Sequence, residues 1–434
     1  MAHVTTRLLR GSAAVVGANL VFSAATFALA TVAARRLGPV AFGEWGALWA
    51  LMMVSAALFP SVSMAAARET SLRLARGDAA DAAVWVRRAA RFVLAIGVAV
   101  AALLIAGATP VSGWLRIADA GHVRWVGVFF FVSILLAFTR GVVEGAQRFD
   151  ALGVNLVWEG ALRAIVGFAL LGAGFGVEGL LFGYVFGAAA ALVRSWPSMT
   201  EPPDLWNGPP GSRVRVDAAE LPPAPLFVGP ILAAHIVIVV LANADMVAAK
   251  HAFDASAAGW WSVAFTGGKF LFFLAEGIGT VMFPLAVEAH ARREPNLPIL
   301  ARALGLFAAA AGVALAVVML APDLVVDRVF GARYAAVREI LPRYLIWATW
   351  LSATVLVVKF RLAQGKVDAL VFLTGFAIGL AGELALRHWQ PMLLSSVLSS
   401  LGATMFAVTV IGTLVFARRA ARRAARSGAV GTAT

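Results

Sequence analysis

The sequence predicts an all-α polytopic membrane protein, with twelve transmembrane helices in two six-helix lobes related by a parallel pseudo-two-fold repeat. Three observations predict it. Of 434 residues, 61% are hydrophobic and only 14% charged, above the roughly 45–50% apolar content of a soluble domain. The apolar residues gather in twelve blocks, and about 20 of them in a helix cross a hydrocarbon core of roughly 30 Å. The chain also echoes itself. Ala146-Gln147-Arg148-Phe149-Asp150-Ala151-Leu152 returns as Ala363-Gln364-Gly365-Lys366-Val367-Asp368-Ala369-Leu370 with one residue inserted, and Phe42-Gly43-Glu44-Trp45 returns as Ala258-Gly259-Trp260-Trp261. Gly43 and Gly259 stand 216 apart and Asp150 and Asp368 stand 218 apart, at matching places relative to the blocks.

In order, the blocks run over residues 11–34, 45–67, 92–110, 125–140, 154–173, 176–195, 226–249, 260–286, 299–321, 341–360, 367–386 and 391–416, each bounded by charges, glycine or proline. Backbone groups in lipid must be paired internally, which leaves helices or a closed barrel. Continuous apolar runs without two-residue alternation select helices. The first block is long, has no small-residue cleavage site and leads at once into a second span, so it is read as a span and not as a signal peptide.

Basic residues mark one membrane face. With the N-terminus taken as cytoplasmic, the inner segments hold 24 lysines and arginines and the outer ones 10, which places both termini inside. Each half then enters and leaves on the same side, so the repeat is parallel with its axis along the membrane normal. The expected divisions are residues 1–196 for the N-terminal lobe, 197–225 for a cytoplasmic linker holding eight of eighteen prolines, 226–416 for the C-terminal lobe and 417–434 for a basic cytoplasmic tail. The net charge of +13 is thus membrane-facing and implies no nucleic-acid partner.

Several chemistries are excluded. The chain has no cysteine, hence no disulfide or thiolate site, and its six histidines show no metal spacing. A phosphate loop ending in Lys-Ser or Lys-Thr is lacking. We therefore expect no enzyme, no cofactor and no metal.

The functional candidates are polar groups at bilayer depth, where a charge is costly and faces a cavity or a partner. Glu159 and Arg163 lie four apart in the fifth block, in the favourable order for a same-face pair. Arg163 is about nine residues in, roughly 13 Å deep. Its two readings are a neutralised pair that locks packing and a cationic site. Lys269 lies near mid-depth in the eighth block, with no acid three or four positions away and Glu276 seven away; it reads as an anion-binding group or as the partner of a distant acid. Asn243 and Asp245, near the outer end of the seventh block, and Glu383, late in the eleventh, are expected to be solvated at the interface, with gating or ion coupling as the other reading. Arg140, Lys359 and Arg361 lie where the fourth span of each lobe reaches the cytoplasm; snorkelling to headgroups explains them, and an arriving lipid phosphate would meet them first. The outer segment from Pro322 to Pro342 reads as an interfacial amphipathic helix.

Arg36-Leu37-Gly38-Pro39 with Phe42-Gly43, Asn243-Ala244-Asp245 followed by Ala258-Gly259-Trp260, and Phe330-Gly331-Ala332-Arg333-Tyr334 resemble the polysaccharide (Wzx-type) flippases of the multidrug and oligosaccharide-lipid exporter superfamily. The likeness runs over nearly the whole chain. It implies two lobes around a central cavity open alternately to each side of the inner membrane, and a polyprenyl-phosphate or -diphosphate carrier bearing sugars as cargo for cell-envelope polysaccharide. It also implies glycosyltransferases or a polymerase of the same pathway as companions, and a monomer. In that reading Arg163 and Lys269, with Arg140, Lys359 and Arg361, attract the phosphate, while Glu159, Glu276, Asp245 and Asn243 tune the site or couple ions. Two departures narrow the cargo. Lipid II flippases have spans beyond twelve and basic residues in the first helix, whereas block 11–34 has no charge; drug exporters often carry an acid there, where this chain has Asn19. A cation-coupled multidrug exporter is the alternative.

Overall fold

Each of the twelve apolar blocks coincides with helix in the computed structural model, which describes residues 2–76, 79–197, 224–291, 294–366, 368–386 and 389–431. No strand occurs among the described residues. The expected linker lies outside them apart from Pro197, Ala224 and Pro225. The helices are α1 (Ala2–Ser55), α2 (Phe59–Ala75), α3 (Ala79–Ala106), α4 (Ala108–Trp114), α5 (Ala120–Gly145), α6 (Phe149–Gly172), α7 (Gly176–Ser195), α8 (Ala224–Leu241), α9 (Ala244–Ala252), α10 (Ala255–Ala291), α11 (Leu297–Leu320), α12 (Pro322–Val325), α13 (Val337–Ala363), α14 (Asp368–Leu386) and α15 (Pro391–Gly431). The backbone of α15 carries helix into the basic tail.

Two compact units divide the chain, one of Met1–Thr266 with Asp323–Arg338, the other of Gly267–Pro322 with Glu339–Thr434. In the first, α1 bends at Gly38, whose φ of 73° and ψ of 176° no helix contains, with Pro39 opening its second half. The core is built on α5, with Phe130, Ile134, Phe138 and Val142 packed against Ala66, Val86 and Val93. Helix α6 packs on both α7 and α1. Gly187 brings α7 so close to α6 that a Cβ there would meet the Arg163 Cβ at 2.9 Å.

Two expectations are corrected in this unit. The seventh block is not one helix: it breaks between α8 and α9, with Asn243 at the start of α9 in a non-helical conformation. The segment 322–342 is not one amphipathic helix either. It forms α12, a π turn over Val326–Phe330 and a 3-10 turn over Ala332–Tyr334, with Gly331 at φ 106° between the turns. Glycine alone takes that angle cheaply, so the hydrophobic stripe cannot continue past it. The turns lie on the α1 bend: Tyr334 Oη donates to the Ala34 carbonyl at 2.9 Å and Arg35 Nε to the Val329 carbonyl at 2.8 Å. Burial raises the pKa of the Tyr334 hydroxyl, which keeps it a donor.

In the second unit α10 meets α13, where a Cβ on Gly268 would lie 3.1 Å from Ala348. Helix α15 lies on α13 at Gly402, beside Trp347 and Trp350. The two halves end their fourth span alike. Gln147 and Gly365 both have positive φ, 57° and 69°. Each is followed by an amide reaching five residues back, Arg148 to Val143 at 3.1 Å and Lys366 to Arg361 at 3.0 Å, which is the Schellman closure. The structural equivalence is therefore Gln147 with Gly365 and Arg148 with Lys366, at the offset of 218 that also joins Asp150 to Asp368. The inserted residue falls before this stretch, and the matching Ala-Gln pairs are one position out of register.

Candidate functional site

Glu159, Arg163 and Arg140 of the first unit form one connected group. Glu159 and Arg163 share a face of α6, and the Arg163 Nη2 donates to Glu159 Oε1. The other carboxylate oxygen accepts from Arg140 Nη2 of α5 at 2.7 Å. Arg140 Nε donates to Asn155 Oδ1 at 2.7 Å, and the Asn155 amide in turn donates to the Ala191 carbonyl of α7 at 2.7 Å. Glu159 and Arg163 are each 4% exposed. The Arg163 guanidinium carbon lies 4.6 Å from the centre of the Phe22 ring and 4.2 Å from that of Tyr184, so cation–π attraction replaces part of its lost hydration. An anion could reach this guanidinium only by displacing Glu159 or one of the rings. Arg140 is better placed, since it lines a cavity of about 230 Å³ at the end of the bundle.

The second unit holds four further candidates. Lys269 is buried at 5% exposure, with its ammonium 5.3 Å from the Phe272 ring centre. Glu276 pairs instead with Lys359 of α13, Nζ to Oε2 at 2.7 Å. Arg361 corrects the snorkelling expectation. It is 1% exposed, its Nε donates to Asp368 Oδ1 at 3.0 Å, its Nη2 to the other oxygen, and its Nη1 to Gln364 Oε1 at 3.1 Å. A guanidinium seven residues before the acid that opens α14 finds a fork-shaped partner closer than any headgroup.

Asn243 and Asp245 are also corrected: they are not solvated at the interface but 2% and 0% exposed. Asn243 Nδ2 donates to the Val239 carbonyl at 2.6 Å, satisfying a backbone group freed by the helix break. Asp245 Oδ2 accepts from Trp261 Nε1 at 3.1 Å. Glu383 is exposed.

Sequence reasoning missed one group. Glu44, in the second half of α1, and His122, at the start of α5, approach to 2.5 Å, and Lys250 of α9 is buried at 5% exposure. Glu44 belongs to the repeated segment Phe42-Gly43-Glu44-Trp45, but nothing in the spacing pairs it with a residue 78 positions on. The motif segments themselves converge. Phe42 meets Tyr334 edge to face at 6.2 Å, its carbonyl accepts from Ser262 Oγ at 2.9 Å, and a Cβ on Gly43 would lie 2.8 Å from the Gly259 nitrogen.

No family model and no curated protein matches the sequence. Solved structures share its fold. A multidrug resistance MATE family transporter of the MOP superfamily, inward-facing, matches with TM-score 0.71 at 14% identity over 91% of this chain and 93% of that one. A MOP superfamily transporter from Pyrococcus furiosus, described as having a binding pocket of reverse polarity, matches with TM-score 0.63 at 14% identity over 94% and 95%. The lipid II flippase MurJ, inward closed, matches with TM-score 0.64 at 12% identity over 91% and 87%. At these identities the likeness is one of fold. The chain has the all-helical, multi-pass membrane fold of the MOP-superfamily transporters.

Proposed function

We propose that this chain is a flippase that moves a polyprenyl-(di)phosphate-linked saccharide from the inner to the outer leaflet of the cell membrane, by alternating access through a cationic cavity, for cell-envelope polysaccharide. The observation that carries this reading is that Arg140 and Arg163 share the single carboxylate of Glu159. One positive charge is left over at a depth where charge is costly, which suits a cargo whose phosphate is anionic and whose tail stays in lipid. Lys269, buried in the second unit, adds a second cation. Both termini and the ends of α5 and α7 face the cytoplasm in this scheme, the protein acts as a monomer beside the glycosyltransferases or polymerase of its pathway, and it makes and breaks no covalent bond.

The test is complementation of a deletion strain. Lys269→Ala is expected to stop lipid-linked glycan from appearing at the cell surface while protein level stays normal; normal export would remove the reading. The fully buried Asp245, at a break in the membrane helix, supports a second reading as a cation-coupled small-molecule exporter. That reading expects drug sensitivity on deletion, restored by the native chain and not by Asp245→Asn.

A further inference from the structure

The cavity of about 230 Å³ in the first unit lies where α5 and α7 end and α6 begins. Its polar walls are Arg140, Arg148, Arg194, Asn155 and Ser195, and none of its lining residues is acidic. Asn155 is consumed by Arg140 and the Ala191 carbonyl. The Ser195 hydroxyl is taken up by Thr139 at 3.0 Å and the Ala191 carbonyl at 2.8 Å. Arg140 has one side held by Glu159. Arg148 and Arg194 are exposed and pair with no carboxylate among the described residues; Arg194 only lies over the Trp158 ring, at 5.8 Å.

A second source of positive potential reaches the same space. Ala151 and Leu152, in the first turn of α6, line the cavity. Arg148, at the start of that helix, makes no side-chain cap. The Leu152 amide is the first with a backbone acceptor, the Arg148 carbonyl at 3.1 Å. The free amides and the helix dipole add to the guanidinium charges there. Arginine forks and helix starts are both matched to tetrahedral oxyanions, and basic pockets between transmembrane helices hold anionic headgroups.

We infer that this pocket binds the phosphate group of a lipid, held between Arg140, Arg148 and Arg194 at the mouth of α6. The site goes beyond the transport reading and stands without it, because a phospholipid headgroup and a polyprenyl carrier both present an anionic phosphate. Three guanidinium groups in the lining, of which Arg140 has its Nε and Nη2 already bonded to Asn155 and Glu159, favour a phosphate whose oxygens are free on several faces, and the position at the helix ends leaves the acyl or prenyl chain in the bilayer.

The experiment compares the full-length native protein with the double variant Arg148→Gln, Arg194→Gln in lipid nanodiscs. Both side chains are exposed and lie outside the Arg140–Glu159–Arg163 group, so the melting temperature should not move. Retention of phosphatidylglycerol, a polyprenyl monophosphate and phosphate-free diacylglycerol is measured by native mass spectrometry, with inorganic phosphate as competitor. Retention of either phosphate lipid should fall by at least roughly tenfold in the variant, the size of one lost charge-assisted contact, with diacylglycerol unchanged. Loss for phosphatidylglycerol identifies bulk headgroups as the source, and loss for the polyprenyl phosphate alone identifies the carrier. Equal retention of both by native and variant protein overturns the site, and binding of inorganic phosphate alone overturns its assignment to a lipid.

Discussion

Gly43 and Gly259, equivalent positions of the two sequence halves, lie against each other: a Cβ added to Gly43 would come within 2.8 Å of the Gly259 nitrogen. One added to Gly259 would fall on the Pro39 carbonyl. The duplicated segments thus cross at their own glycines, inside the first unit. Helices in lipid associate through close packing, and small residues set how near two backbones come. Gly259→Ala is therefore expected to destabilise by about 1–3 kcal/mol, the usual size of overpacking, seen as a lower melting temperature. Gly277→Ala, where a Cβ would meet nothing within 4 Å, should be neutral or stabilising, since alanine is the better helix former by about 1 kcal/mol.

Removing the shared acid should cost more than removing one of its arginines. Glu159→Gln leaves the buried Arg163 and the partly exposed Arg140 without their counter-charge, and stranding a buried charge costs about 3–5 kcal/mol. Adding Arg140→Gln should recover part of that loss by returning the net charge of the group to its native value of one positive charge. The check is thermal unfolding of the single and double variants; no recovery would mean the charges are not coupled.

The ion pairs of the second unit should separate by burial. Lys359 and Glu276 are 17% and 34% exposed, Arg361 only 1%. Glu276→Gln is expected to change stability by no more than about 1 kcal/mol, Asp368→Asn by clearly more, because the Arg361 fork stays buried. Denaturation of the two variants side by side decides it.

Lys366 makes a pH prediction. Burial, and then the neighbouring Arg361, lower its pKa from 10.5. The folded chain gives up this proton before the unfolded chain does, so stability rises with pH through the window below 10.5. Lys366→Gln should stabilise the protein near pH 7, and the difference from the native chain should close as pH passes 10.5. An advantage that is constant across this range would rule out the titration.

The sequence by itself determined that the apolar blocks are helical and that the chain echoes itself, but not the break in the seventh block or the turns after Pro322. Hydropathy is a local sum, and a block of about 20 apolar residues in lipid has no other way to pair its backbone. It also located the charges at depth and, through their i, i+4 spacing, the Glu159–Arg163 pair. Only the tertiary structure decided where the rest of those charges point. Arg361 turned inward to Asp368 and not out to headgroups, Asp245 fell at a buried break beside Trp261, Glu276 took Lys359, and Glu44 met His122. Those outcomes depend on which helices touch and at what height, and residues tens of positions apart carry no periodic signal for that. The glycine crossing lay between: the echo gave the equivalence, but contact between the equivalent residues followed from packing that one strand of text does not encode.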